Sequence, residues 1–160
     1  MLLTTPSQPG APLHEHIQLR AMQEKDLHAV HNLEKICQPF PWPAWYFRRQ
    51  LRVASCWVLE HNGMVVGFGI VAMVKHWAHI MNMCIAPGYR RCGQGRRIML
   101  HLLKVARQHY ATHAWLEVRP SNYPAITLYR KLGFRKKQVR EKYYPRRGGR
   151  ENGLVMVRLL

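Results

Sequence analysis

Arg90-Arg91-Cys92-Gly93-Gln94-Gly95-Arg96 stands between an apolar strand pattern, Ala78 to Ile85, and a helical pattern that runs to about Tyr110. A helix start offers unpaired N–H groups and positive partial charge. Glycines let the backbone come close to an anion and adopt conformations closed to other residues. The flanking arginines add charge and fork-shaped donors. The segment therefore reads as a pyrophosphate cradle, and a plain glycine turn into a helix is the competing reading. The dinucleotide fingerprint G-x-G-x-x-G is not matched, nor is the NTP loop ending in Gly-Lys-Ser/Thr.

Working outward, the helix from Gly93 places Met99, Leu102, Leu103, Ala106 and Tyr110 on one apolar face. Upstream, Ser55 to Glu60 and Met64 to Val74 are two apolar runs joined by Asn62-Gly63, a hairpin signal. Before them, Leu27, Val30, Leu33 and Ile36 mark an amphipathic helix from Asp26 to Cys37, and Ile17 to Ala21 alternates as a strand. Pro43 suits the opening of a helix from Ala44 to about Leu51. Downstream come a strand at Ala114 to Val118 and a helix capped by Asn122 and stopped by Gly133. Phe134 to Val139 and Leu154 to Leu159 form a last antiparallel pair. The order β-α-α-β-β-β-α-β-α-β-β is that of a mixed α/β domain. Residues 1–15, with Pro6, Pro9, Gly10 and Pro12, read as a flexible tail ahead of a single domain at 16–160.

The chain has 160 residues and is 48% hydrophobic, enough for one sizeable core. No run is long enough for a membrane span and no signal-peptide core stands at the start, so a soluble cytoplasmic protein is expected. The 25 Lys and Arg against 8 Asp and Glu give +17, a field that attracts anions. Arg135, Lys136, Lys137, Arg140, Lys142, Arg146, Arg147 and Arg150 crowd the last third of the chain. His14 with His16, and His28 with His31, lack further ligands at sensible spacing, so no metal is expected. Cys56 and Cys84 read as small core residues, and Cys92 as a free exposed thiol.

Glu117 is the one acid in Ala114-Trp115-Leu116-Glu117-Val118. Apolar surroundings would raise its pKa and suit it to general-base work. A glutamate facing water, or one paired with Arg119, is the alternative. Tyr129 on its own reads first as a core tyrosine with its hydroxyl at the surface, and a proton donor is the other reading.

Arg90-x-x-Gly93-x-Gly95 between strand and helix resembles the acetyl-CoA motif of the GNAT acetyltransferases. Within that superfamily, residues 17 to 160 resemble the ribosomal-protein-alanine N-acetyltransferases, the RimI type. The resembling segments are Phe40-Pro41-Trp42, Ile85 to Arg91, Trp115 to Arg119, Ser121-Asn122, Leu128-Tyr129, Leu132-Gly133-Phe134, Tyr143-Tyr144-Pro145 and Gly149-Arg150-Glu151. The pattern departs at Ala86, where an acid is common, and at Pro120, where a small residue is usual. The resemblance implies a GNAT fold: a twisted, mostly antiparallel sheet flanked by helices.

It further implies acetyl-CoA as co-substrate, held by the backbone of Met83, Cys84 and Ile85, by the loop Arg90, Arg91, Cys92, Gly93, Gln94, Gly95 and Arg96, and by Asn122. Glu117 would be the general base and Tyr129 the general acid. The acceptor would be the N-terminal residue, alanine by family habit, of a ribosomal protein. It would enter between Phe40, Pro41 and Trp42 on one side and Tyr143 and Tyr144 on the other, unless these aromatics are ordinary loop packing. Direct transfer in a ternary complex is expected, since neither Cys84 nor Cys92 has a base beside it in sequence. The basic surface would then touch ribosomal RNA or an assembling subunit, or simply stay solvated. Another protein N-terminus or a lysine is the competing acceptor, and an RNA-binding factor on a transferase scaffold is the competing class.

Overall fold

The computed structural model describes residues 16–160, so the expected tail at 1–15 lies outside the described residues. The elements are β1 (Ile17–Ala21), α1 (Leu27–Cys37), α2 (Ala44–Val53), β2 (Ser55–His61), β3 (Met64–Val74), β4 (Trp77–Ile85), α3 (Gln94–Gln108), β5 (His113–Val118), α4 (Tyr123–Lys131), β6 (Arg135–Arg146) and β7 (Gly149–Leu159). They build one seven-stranded sheet in the order β1-β2-β3-β4-β5-β7-β6. Every neighbouring pair is antiparallel except β4 with β5. The mostly antiparallel, helix-flanked sheet expected from the sequence is the one observed.

Helices cover both faces. On one side α1 and α2 place Val30, Leu33 and Phe47 against Val58, Phe68 and Ile70. On the other, α3 and α4 place Met99, Leu102, Leu103, Ala106 and Ile126 against Leu116, Phe134 and Met156. Ile98, Met99, Leu102 and Leu103 are fully buried. At about 1.5–3 kcal/mol for each such side chain, packing rather than propensity holds α3 in place.

Two sequence expectations need correction. Tyr110 is 83% exposed and not part of the buried face. The helix ends at Gln108, and Tyr110 takes a left-handed φ of 61°, which turns its ring outward. The last hairpin is also far longer than Phe134–Val139 and Leu154–Leu159. Its pairing continues to Tyr144 with Glu151 and to Arg146 with Gly149. The charged run of β6 hides a strand because β6 is the sheet's edge, where charges and Pro145 block further pairing.

Cys56 is buried and Cys92 exposed, as expected, but Cys84 is disulfide-bonded to Cys37, which ties the end of α1 to β4. No helix among the described residues is long and apolar enough to cross a membrane.

An ion cluster anchors the sheet's first edge. Arg20 of β1 donates to both oxygens of Asp26, at 2.7 and 2.8 Å, and also to Glu60 of β2. Asp26 is 5% exposed. The Arg20 hydrogen bond holds its carboxyl below the usual range against the upward push of burial. Arg20→Ala is expected to cost about 2 to 3 kcal/mol at pH 7, somewhat less than a fully buried pair because Arg20 keeps some solvent contact. A folded-state pKa that is lowered stabilises above the unfolded value, roughly 3.9 for aspartate, and that stabilisation is lost as pH falls below it. Urea unfolding should therefore show a gap between wild type and variant at pH 7 that shrinks toward pH 3.

Candidate functional site

A splay between two parallel strands creates the site. β4 and β5 pair only from Trp77 to His79 against His113 to Trp115. Beyond that, β5 pairs only with β7 and β4 only with β3. The β3–β4 register shifts between Ile70 and Val71, where Met81 is the extra residue on β4. Such a bulge bends its strand and increases the twist. The edge of β4 after His79 is thereby left open toward a cavity of about 490 Å³.

That cavity gathers many of the residues expected from the sequence. Met83 of β4, Glu117 of β5, Asn122 and Tyr129 line it, together with Phe40, Trp42, Tyr143, Tyr144 and Pro145. Pro41, Cys84 and Ile85 do not line it. Neither does the loop from Arg90 to Arg96, which lies where β4 ends and α3 begins.

The loop has the form of an anion cradle. Arg91 and Gly93 take left-handed φ values of 60° and 81°, which curls the backbone. The first helical bond runs from Arg97 N–H to the Gly93 carbonyl at 2.9 Å. The N–H groups of Gln94, Gly95 and Arg96 precede it and find no backbone partner among the described residues. A Cβ on Gly95 would meet Leu128 at 3.3 Å, so glycine lets α3 sit close to α4. Arg90 instead folds inward, donating to the Ile85 carbonyl at 2.9 Å, and braces the loop. The Cys92 thiol donates to the Arg90 carbonyl at 3.1 Å, and no base lies beside it among the described residues.

Glu117 is the best-connected carboxylate in the cavity wall. One oxygen takes a hydrogen bond from the Tyr143 hydroxyl at 3.2 Å and faces Arg140 at 3.5 Å. The other lies 2.8 Å from His79 Nε2. Arg119 is not its partner, because Arg119 pairs with Glu151 at 2.9 Å and braces the Pro145 carbonyl. The expected rise in the Glu117 pKa is not found. Burial pushes it up, but the His79 hydrogen bond, the charges of His79 and Arg140 and the Tyr143 hydroxyl together hold it below the usual carboxylate range.

Burial drives Tyr129 up to about 12, so its phenol stays protonated. Among the described residues its hydroxyl has no hydrogen-bond partner and is free for a ligand. Asn122 caps α4 by accepting at Oδ1 from Ala125 N–H at 3.3 Å, and among the described residues its Nδ2 has no partner. Trp42 packs edge-on against Tyr46 and tilted on Phe47, so it belongs to the core as much as to the mouth. Phe40 and Tyr143 are the more exposed aromatics.

Sequence reasoning missed Glu34. It is 1% exposed, accepts from Asn82 Nδ2 and from Trp42 N–H, and lines the cavity. Burial raises its pKa despite those donors. Its helical spacing from Leu27 and Val30 placed it on the buried face, a signal available in the sequence. His79 was missed as well, since its partner lies 38 residues away.

The family model for the GNAT acetyltransferases matches residues 27–134. The chain is 34% identical over 140 residues to the [ribosomal protein bS18]-alanine N-acetyltransferase of Escherichia coli K12, covering 87% of this chain and 95% of that protein. An N-alpha-acetyltransferase of Sulfurisphaera tokodaii is 30% identical over 142 residues, covering 79% and 84%. The crystal structure of the Escherichia coli ribosomal-protein-S18-alanine N-acetyltransferase superposes with a TM-score of 0.84 at 32% identity, over 89% of this chain and 93% of that one. With its splayed β4 and β5, its glycine cradle and these likenesses, the chain belongs to the GNAT acetyltransferase family.

Proposed function

We propose that this chain transfers an acetyl group from acetyl-CoA to the N-terminal α-amine of a ribosomal protein, with alanine as the acceptor residue, in the cytoplasm. The observation that carries this reading is one cavity lined by both an ionised carboxylate, Glu117, and a protonated phenol, Tyr129. The relatives named for alanine N-acetylation support the choice of acceptor.

The cradle fits a pyrophosphate: free N–H groups, positive charge and no Cβ at Gly93 or Gly95. Acetyl-CoA supplies an activated acyl thioester. The backbone from Met83 to Ile85 and Asn122 Nδ2 would hold it along the open edge of β4. Glu117 accepts the proton of the α-ammonium, whose pKa of roughly 7.7 to 8.0 asks little of a base. The amine then attacks the thioester carbon, and an N–H of the open β4 edge stabilises the oxyanion. Tyr129 protonates the departing thiolate and regains its proton from the second one that the nitrogen loses as the amide forms. No covalent enzyme intermediate is needed. Cys84 is disulfide-bonded and Cys92 has no base, which supports direct transfer. Phe40, Pro41 and Trp42 would border the acceptor's entry on one side, and Tyr143 and Tyr144 on the other.

The test is CoA release with peptides beginning Ala, Ser and Met and with an acetyl-blocked Ala peptide. Release with Ala exceeding that with Met, and none with the blocked peptide, is expected. Equal release with the blocked peptide would overturn the reading in favour of lysine.

The same proposal assigns a partner to the basic edge. Arg135, Lys136, Lys137, Lys142, Arg146 and Arg147 are exposed along β6 and its turn. Three arginines of this run are engaged: Arg140 with Glu117, Arg150 with the Lys142 and Tyr143 carbonyls, and Arg135 with the Arg130 and Phe134 carbonyls. The five cations without such contacts, Lys136, Lys137, Lys142, Arg146 and Arg147, would meet ribosomal RNA or an assembling subunit. Binding to a ribosomal RNA fragment should weaken by about 500-fold between 50 and 200 mM salt if all five touch phosphate. Absence of binding at 50 mM salt would remove this partner.

A further inference from the structure

One residue holds both ends of the loop that forms a wall of the cavity. Glu34 sits in the last turn of α1, and residues 38–43 run from there to the start of α2. Its backbone carbonyl accepts from Gln38 N–H at 2.8 Å, where the loop leaves the helix. Its side-chain Oε1 accepts from Trp42 N–H at 3.2 Å, near the loop's far end. Both carboxylate oxygens also accept from Asn82 Nδ2 at 3.2 Å. Asn82 stands on β4 between Met81, the extra residue of the bulge, and Met83. Glu34 therefore fixes the loop's shape and also its seat on the strand whose edge is open.

Stability alone does not call for a carboxylate here. The last turn of a helix disfavours an anion, because the macrodipole is negative there. Glu34 is buried and forms no salt bridge among the described residues. A buried charge without a cation costs stability. What the carboxylate offers is acceptors only, so it meets the donors of Trp42 and Asn82 with no donor of its own to place.

The loop needs such a clamp. Gln38, Phe40 and Trp42 line the cavity. Phe40 is 47% exposed, so packing does little to place its ring and the loop backbone must. The facing wall is braced separately. Arg119 donates to the Pro145 carbonyl at 2.8 Å, and its guanidinium lies 4.6 Å over the Tyr144 ring. The two walls hang on different residues, and the gap between them can change from one side alone.

We propose that Glu34 is a specificity-determining positioning residue, which clamps residues 38–42 onto Asn82 and so keeps small the slot for the acceptor's first side chain. The inference rests on reading the cavity as the seat of an N-terminal acceptor. In this role Glu34 touches neither the amine nor the thioester and takes no part in proton transfer.

The test measures kcat/KM for peptides beginning Ala and Met at saturating acetyl-CoA, with wild type, Glu34→Ala, Glu34→Gln and Asn82→Ala. Glu34→Ala is expected to reduce the preference for Ala over Met by about tenfold or more, the order that one methylene of pocket fit is worth. Its affinity for acetyl-CoA, read by calorimetry, should stay within about twofold, because no residue of the cradle touches Glu34. Glu34→Gln should keep the preference within about threefold, since its amide oxygen accepts from Trp42 N–H and its amide nitrogen donates to Asn82 Oδ1 once that amide turns over. Asn82→Ala should shift the preference in the same direction as Glu34→Ala, and it carries the test if Glu34→Ala does not fold. Lower stability or activity with an unchanged preference would make Glu34 a scaffold residue and overturn the proposal. An equal loss of preference in Glu34→Gln would overturn it too, because the hydrogen bonds would not be its cause. A wild type that does not prefer Ala to Met has no slot to guard, and the proposal ends there. A wild type that acetylates the blocked Ala peptide equally fails earlier, at the reading of the acceptor.

Discussion

Glu117→Gln is expected to lower kcat by about 100- to 10,000-fold, the range that general acid–base groups contribute. That corresponds to roughly 3 to 5 kcal/mol of lost transition-state stabilisation. Glutamine keeps the shape and still accepts from the Tyr143 hydroxyl, so the sheet should fold as before. Acetyl-CoA binding should also persist, because the cradle at Arg91 to Arg96 does not touch Glu117. The donors around Glu117 hold it ionised well below neutral pH. The acid limb of wild-type kcat/KM should therefore follow groups that titrate near neutrality, the acceptor amine among them, and not a carboxylate with a raised pKa. An acid limb set by Glu117 near pH 6 would contradict that geometry. Steady-state kinetics on both proteins, with melting curves as the control for folding, decides the point. Retained kcat in Glu117→Gln would remove Glu117 from the chemistry.

The second large effect falls on Tyr129. Tyr129→Phe removes one oxygen from a buried ring that packs against Phe134 with centroids 6.0 Å apart. The backbone carbonyl of Tyr129 accepts from Leu132 and Phe134 N–H groups, contacts that phenylalanine keeps. With no protein partner to its hydroxyl among the described residues, stability should change by less than about 1 kcal/mol. The expected loss is in kcat, about 100- to 1000-fold, as for removal of a single charge-stabilising donor. A pKa pushed up to about 12 keeps the phenol as a donor throughout the physiological range. KM for acetyl-CoA should not move. Undiminished kcat would return Tyr129 to the core tyrosine that the bare sequence favours.

Local pattern made the element order and much of the site legible. The lone acid in an apolar strand singled out Glu117, and Asn122 and Gly133 marked the ends of the helix that carries Tyr129. What stayed hidden depends on strand register. The splay of β4 from β5 follows from a shift at Ile70 and Val71, which no single run of residues announces. The partners of Glu117 come from β4 and β6, so its environment could not be read from its neighbours in sequence. For that reason the apolar context suggested a raised pKa, whereas cross-strand donors set the observed direction. That expectation suits Glu34, whose buried side chain has only neutral donors, Asn82 and the Trp42 N–H. The β6 strand was hidden differently, because charges that protect a sheet edge look like loop composition.

The defining step is transfer of an acetyl group to an α-amine. The most direct measurement is the position of the added acetyl group on a peptide that begins with alanine and also contains a lysine. Incubation with acetyl-CoA and the wild-type protein, followed by fragment-ion mass spectrometry, should place one acetyl group on the alanine nitrogen and leave the lysine free. Acetyl groups on lysine with a free N-terminus would make lysine, and not the α-amine, the acceptor.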